Sequence, residues 1–193
     1  MGQYYLIVNL DKKEYLHPHK FGEGAKLMEF GHSRSSILLA LTVLLADGNG
    51  RGGGDIRIPS YEKAIRKYQI ASDKHCEGKR KTSPKWPNPD KHNEPWVGRW
   101  AGDRIVITGD YADGGKFIEG LDDATLQRIA DIYYTEKHRR KEKVNLFAVA
   151  MELFTDISDN VIGLLVSANE LPSDVQSEMR AMRPDMVIST KQE

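Results

Sequence analysis

The chain has 193 residues, 28 basic and 28 acidic side chains, and a single cysteine, with 39% aliphatic and aromatic residues. This is the composition of a soluble globular protein with ample material for a core. No run approaches the ~20 apolar residues that cross a bilayer, and a lone Cys76 cannot form an internal disulfide, which suits a reducing compartment. Met1-Gly2-Gln3-Tyr4-Tyr5 lacks the basic n-region of a secretory signal, so the expected location is the cytoplasm, with no membrane partner.

Tyr4–Leu10 (YYLIVNL) is rich in aromatic and β-branched residues and predicts a strand. Asp11-Lys12-Lys13 is a polar turn. Glu14–Phe21 resumes an extended pattern, which Pro18 demotes to an edge strand or irregular stretch because it cannot donate to a ladder. Ser36–Ala46 is apolar on every side. Its leucines, and a cap at Ser35 or Ser36, favour a buried core helix. A glycine-rich loop follows, Asp47–Asp55 (DGNGRGGGD). A helix is expected to open at Ser60 and run through Tyr61–Ala71. Ser72–Pro95 then reads as a polar loop or insertion carrying four prolines and the triplet Lys79-Arg80-Lys81. Val97–Phe117 reads as antiparallel strands, with turns at Ala101-Gly102-Asp103 and at the hairpin dipeptide Asp113-Gly114.

The remainder is helical by spacing. Leu126, Ile129, Ala130 and Tyr133 follow an Asp122 cap. Val144, Phe147, Ala148 and Met151 repeat the period, as do Val161, Leu164, Leu165 and Ala168 after Ser158. A last helix begins at Ser173, with Gln176 completing a capping box. Strands first and helices last predict a single α+β domain over 1–193. Its sheet is mostly antiparallel, with the 72–95 segment as an insertion.

The zero charge is a cancellation. Residues 60–92 hold nine basic and four acidic side chains, whereas 145–193 hold three and eight. The basic 72–95 loop or the acidic C-terminal helices could dock a protein partner. The absence of a net positive charge argues against a general nucleic-acid binder. The pattern is silent on oligomeric state.

Three clusters could carry chemistry. In the glycine loop, Asn49, Arg51, Gly52 and Gly53 could form a nest of backbone N–H groups with a guanidinium beside it, suited to a phosphate. A P-loop ending is missing, and a calcium loop fails at Arg51 and Ile58. A plain flexible connection is the structural alternative. His17 and His19, if extended, face one side and could contact a phosphate or share a metal with Asp47, Asp55 or Asp110. They could equally be polar surface. Arg99 and Arg104 could hold an anion while Trp96 or Trp100 stacks on a base. The alternative is a hairpin with cross-strand pairs and Trp100 in the core. Glu136–Lys143 is a solvated charged helix end. No nucleophile elbow, HExxH or CxxC is present, and no cofactor motif.

The strings GQYYLIVNLDKKEYLHPHKFGEGAKLMEFG, LLADGNGRGGGD and GRWAGDRIVITGDY resemble a family of uncharacterised microbial proteins over roughly the first 120 residues. The resemblance implies homologues and carries no mechanism. The expected function is binding of a phosphate-bearing, nucleotide-like anion without catalysis or with weak catalysis. The alternatives are a protein-interaction module and a metal-dependent phosphodiester hydrolase built on His17, His19 and aspartates.

Overall fold

The computed structural model describes residues 3–31, 35–47, 59–79, 81–85, 96–135, 139–167 and 177. The chain forms two compact units. One comprises residues 1–42 and 102–161, and the other 43–101 and 162–193.

The first unit is organised around strand β1 (Tyr5–Asn9), whose Leu6, Ile7 and Val8 are all wholly buried. Such a continuous apolar run marks a strand covered on both faces. β1 pairs antiparallel with β2 (Glu14–Leu16), Ile7 opposite Leu16 and Asn9 opposite Glu14. The connection is an Asx turn. Asn9 Oδ1 accepts from the N–H groups of Asp11 and Lys12, at 2.9 and 2.8 Å, which lets a short polar side chain replace a ladder bond.

On its other side β1 pairs antiparallel with β3 (Ile105–Gly109), Tyr5 opposite Gly109. The two-residue strand β4 (Thr155–Asp156) joins β2 in parallel. The sheet order is therefore β3-β1-β2-β4, a mixed sheet in an α+β fold.

Pro18 ends β2 as its missing N–H requires. The chain does not continue extended to Phe21, as the sequence pattern suggests, but turns into a 3₁₀ helix over Pro18–Phe21. Gly22, at φ 76°, closes it by donating its N–H back to the turn, a conformation open to glycine.

Helix α1 (Leu27–Phe30) is a single turn and helix α2 (Ser36–Leu45) is the expected buried helix. Ser35 Oγ accepts from Leu38 N–H at 3.2 Å and donates to Glu23 Oε2 at 2.7 Å. Glu23 Oε1 accepts from the N–H groups of Ser36 and Ile37. A carboxylate thus serves the positive end of the helix alongside the serine cap.

Helix α4 (Asp123–Tyr133) starts at the Asp122 cap, whose carboxylate accepts from Thr125 N–H at 2.7 Å. Helix α5 (Leu146–Leu153) lays Leu146 and Ala150 against Leu6, Val8 and Tyr15 of the sheet. Its Ala148 and Val149 meet Ile129, Ala130 and Val144. Full burial of the leucine, isoleucine and valine side chains among these is worth roughly 1.5–3 kcal/mol each, so these two clusters fix the helices on the sheet. Helix α6 (Ser158–Ser167) follows β4.

The expected strands of Val97–Phe117 reduce to β3. Residues 96–102 are consecutive turns, and no strand returns after Asp113-Gly114. β3 pairs instead with β1, about a hundred residues earlier, and forms an edge of the sheet.

In the second unit, Val43, Leu44, Trp100, Ile162, Leu164, Leu165 and Val166 are buried. Gly98 and Trp100 donate their N–H groups to the carbonyls of Val43 and Leu44, at 2.9 and 2.8 Å. This satisfies acceptors that the end of α2 leaves open. Helix α3 spans Pro59–Cys76, so the sequence-predicted loop begins five residues late. Ser72–Cys76 is helical without an apolar period because most of it faces solvent, and the helix stops before Gly78, at φ 71°. The expected helix from Ser173 lies outside the described residues apart from Ser177, which is helical. Among the described residues, no helix is long and apolar enough to cross a membrane.

Candidate functional site

A pocket of about 290 Å³ opens in the first unit where the start of β1 meets the 3₁₀ turn and the end of β3. Tyr4, Tyr5 and Phe147 supply aromatic walls, and His17, His19 and Asp110 the polar groups. His17 and His19 are therefore brought together, although not by an extended strand. Their ring centroids lie 5.3 Å apart, and the Tyr4 ring stands 6.0 Å from that of His19.

Backbone bonds position each member. Tyr5 N–H donates to the Ala25 carbonyl at 2.8 Å. Tyr4 N–H donates to Asp110 Oδ1 at 3.0 Å, and Asp110 N–H donates to the Tyr4 carbonyl at 2.9 Å. Asp110 follows β3 directly, so it sits where the ladder ends. Its turn is fastened by Asn145, whose amide donates to the carbonyls of Asp110 and Ala112 at 2.9 and 3.2 Å. His17 N–H donates to Ser158 Oγ at 2.9 Å.

The imidazoles have defined hydrogen-bonding roles. His17 caps the 3₁₀ turn: its Nδ1 accepts from His19 N–H at 3.3 Å, so the neutral ring carries its proton on Nε2. His19 Nδ1 lies 3.0 Å from the Glu23 carbonyl, which can only accept, so Nδ1 carries a proton, and in the neutral ring Nε2 then holds the lone pair. With both rings neutral, one offers a donor and the other an acceptor.

Burial pushes the His17 imidazole below its ordinary value, with further lowering from His19 and Lys20 and an opposing pull from Asp156. At neutral pH it is uncharged. Lys20 is committed to Asp156 and Asp159, each at 2.8 Å. Among the described residues, the pocket is lined by one carboxylate and by no lysine or arginine.

A metal shared through both Nε2 atoms does not suit this arrangement. His17 would have to move its proton to Nδ1, against the N–H it already accepts. Among the described residues, no group of three or more His, Cys, Asp or Glu side chains could hold a metal ion.

The other sequence candidates do not join this pocket. Asn49, Arg51, Gly52 and Gly53 lie outside the described residues, as do Asp55, Ile58 and the Lys–Arg–Lys triplet's Arg80, while Asp47 is described and exposed. Arg99 belongs to the second unit, its guanidinium 4.9 Å from the centre of the Trp96 ring. Trp100 is wholly buried, so it has no exposed face for stacking on a base. Arg104 is in the first unit, but its Nε and Nη2 both bond Asp11 Oδ1, at 2.9 and 2.8 Å. The Arg99–Arg104 hairpin does not form, and Arg104 lines a different hollow.

Sequence reasoning passed over Tyr4, Tyr5 and Phe147 as core residues and Asn145 altogether. An asparagine immediately before an apolar helical run is the signal that could have found the last.

Compared with known proteins, the chain matches no family model, no curated protein and no solved structure.

Proposed function

We propose that the protein binds a small nucleotide-like ligand without transforming it, and that the His17/His19 pocket takes the uncharged heterocycle rather than the phosphate. The observation that carries this is the use of both Nδ1 atoms inside the protein. With both rings neutral it leaves one ring N–H and one ring lone pair on residues of the same pocket, a complement to the mixed donor and acceptor edge of a base. Tyr4, Tyr5 and Phe147 supply apolar surface for the ring faces. A phosphate has less to gain there, because Asp110 lines the pocket and, among the described residues, no lysine or arginine does. A volume near 290 Å³ lies at the small end of ligand pockets, which suits one nucleoside rather than a dinucleotide.

The test is an NMR titration with the four common nucleosides, their 5′-monophosphates and ribose 5-phosphate. The expected result is saturable binding of at least one nucleoside, equal within a few-fold to its monophosphate, and loss on His19→Ala. Binding of ribose 5-phosphate as tight as that of the nucleotides, or no saturation by any nucleoside, would overturn the proposal.

A further inference from the structure

Strand β3 ends the sheet in the order β3-β1-β2-β4, so one of its long sides has no strand beside it. The ladder to β1 fixes which backbone groups face that side. Leu10 N–H donates to the Arg104 carbonyl at 3.0 Å, and Asp110 N–H to the Tyr4 carbonyl at 2.9 Å. Bonded and unbonded pairs alternate along an antiparallel ladder. In this register Val106 and Thr108 therefore turn toward β1, while Ile105, Ile107 and Gly109 aim their N–H and C=O groups away from it. The Gly109 carbonyl accepts from Ala112 N–H at 3.0 Å. Among the described residues, no backbone group bonds those of Ile105 or Ile107 on the outer side.

A hollow of about 170 Å³ follows this edge. Val106, Ile107, Thr108 and Gly109 all line it. Successive side chains point to opposite faces, so what these four share is the rim of the strand. Exposed edges are commonly blunted by charge, proline or a bulge. The strand IVITG carries neither charge nor proline, and Ile107 is 44% exposed.

Charge selects the strand that fits. Arg104 and Asp110 flank Ile107 at equal distances in sequence and lie on one face of the extended chain. When a second copy's β3 pairs antiparallel about Ile107, Arg104 of each copy falls opposite Asp110 of the other. Asp11 takes Nε and Nη2 of Arg104, and Tyr4 N–H takes Oδ1 of Asp110, so Nη1 and Oδ2 are the atoms left to meet across the two-fold axis. A parallel copy in register would set arginine beside arginine.

We propose that the chain self-associates through β3 as a two-fold antiparallel pair, joining two sheets into one continuous sheet. The register about Ile107 pairs the whole of β3. The two Ile107 residues exchange N–H···O bonds, and each Gly109 N–H reaches the Ile105 carbonyl of the other copy. At the opposite edge β4 has only two residues, too short a template to compete, so assembly closes at two copies. The readout is oligomeric state, so this proposal fails separately from the nucleoside pocket, which Asp110 also borders.

The test is sedimentation equilibrium of the full chain from about 1 μM to about 1 mM, the range in which small interfaces dissociate. The mean mass should rise from that of the monomer to that of the dimer and no further. Ile107→Pro removes an outward N–H and no bond to β1, so it should be monomeric. Ile107→Lys keeps every backbone donor and should weaken association about tenfold or more; it gives the answer where the proline variant melts early. Arg104→Glu and Asp110→Arg should each weaken association about tenfold, because like charges then meet twice. An equimolar mixture of these two should restore it, since every opposed pair is then opposite in sign. A monomer at every concentration, growth beyond two copies, undiminished dimers in Ile107→Lys or in a folded Ile107→Pro, or a mixture no tighter than the separate variants would each overturn the proposal.

Discussion

Replacing Asn145 by alanine isolates one residue that serves two structures. Its Oδ1 accepts from Ala148 N–H at 3.1 Å and caps α5, while its amide holds the carbonyls of Asp110 and Ala112. The side chain is 2% exposed, so water does not readily replace these partners. Loss of the cap costs about 1 kcal/mol, and the two amide bonds about 1 kcal/mol each, giving about 3 kcal/mol for Asn145→Ala. Serine retains a capping oxygen but has no donor that spans to both carbonyls, so Asn145→Ser should cost about 2 kcal/mol. Equilibrium urea denaturation with unchanged slope measures both. In a chain of this length, ~3 kcal/mol corresponds to a melting temperature lower by roughly 6–12 °C. An alanine variant within about 0.5 kcal/mol of the wild type, or a serine variant as damaged as alanine, would refute the two-part role.

Glu23→Ala should destabilise by about 2–3 kcal/mol, because it strips three hydrogen bonds from the start of α2. Glu23→Gln, which keeps one carbonyl oxygen, should cost about half of that in the same denaturation assay. His17 predicts a pH effect of definite sign. Its folded value lies below the ordinary value near 6.5, so the unfolded chain binds the proton more readily. Stability from the neutral ring is complete above that ordinary value and declines as the pH falls from it toward the lowered one. His17→Gln should flatten the stability profile across that window, and an equally steep profile in the variant would refute the assignment.

The readable part of the fold is the part whose information is local. YLIVN could only be a covered strand, Asp122 and Ser35 announce their helices, and the leucines of Ser36–Leu45 require burial. The unreadable part depends on partners remote in sequence. β3 looks like one arm of a local hairpin until its pairing with β1 is known, and the two residues of β4 carry no pattern at all. The same division holds at the candidate site. His17 and His19 were visible as a pair, yet their opposite hydrogen-bonding roles arise from the 3₁₀ turn that Pro18 starts. Asp110 gained its place through Tyr4, 106 residues away. Arg104, visible as a candidate cation, was claimed by Asp11 across 93 residues.

The order of strands has a kinetic consequence. β1 and β2 form an immediate hairpin, but each needs an outer neighbour from far along the chain: β1 from 105–109 and β2 from 155–156. At a synthesis rate of roughly 5–20 residues per second, the hairpin waits some 5–20 s for β3 alone. Throughout that interval Leu6, Ile7 and Val8 lack their covering layer, and loop closure over about a hundred residues adds its own entropic barrier. Completion of this sheet therefore waits on its two outer strands, and until they arrive the newborn hairpin exposes apolar side chains that the finished fold buries.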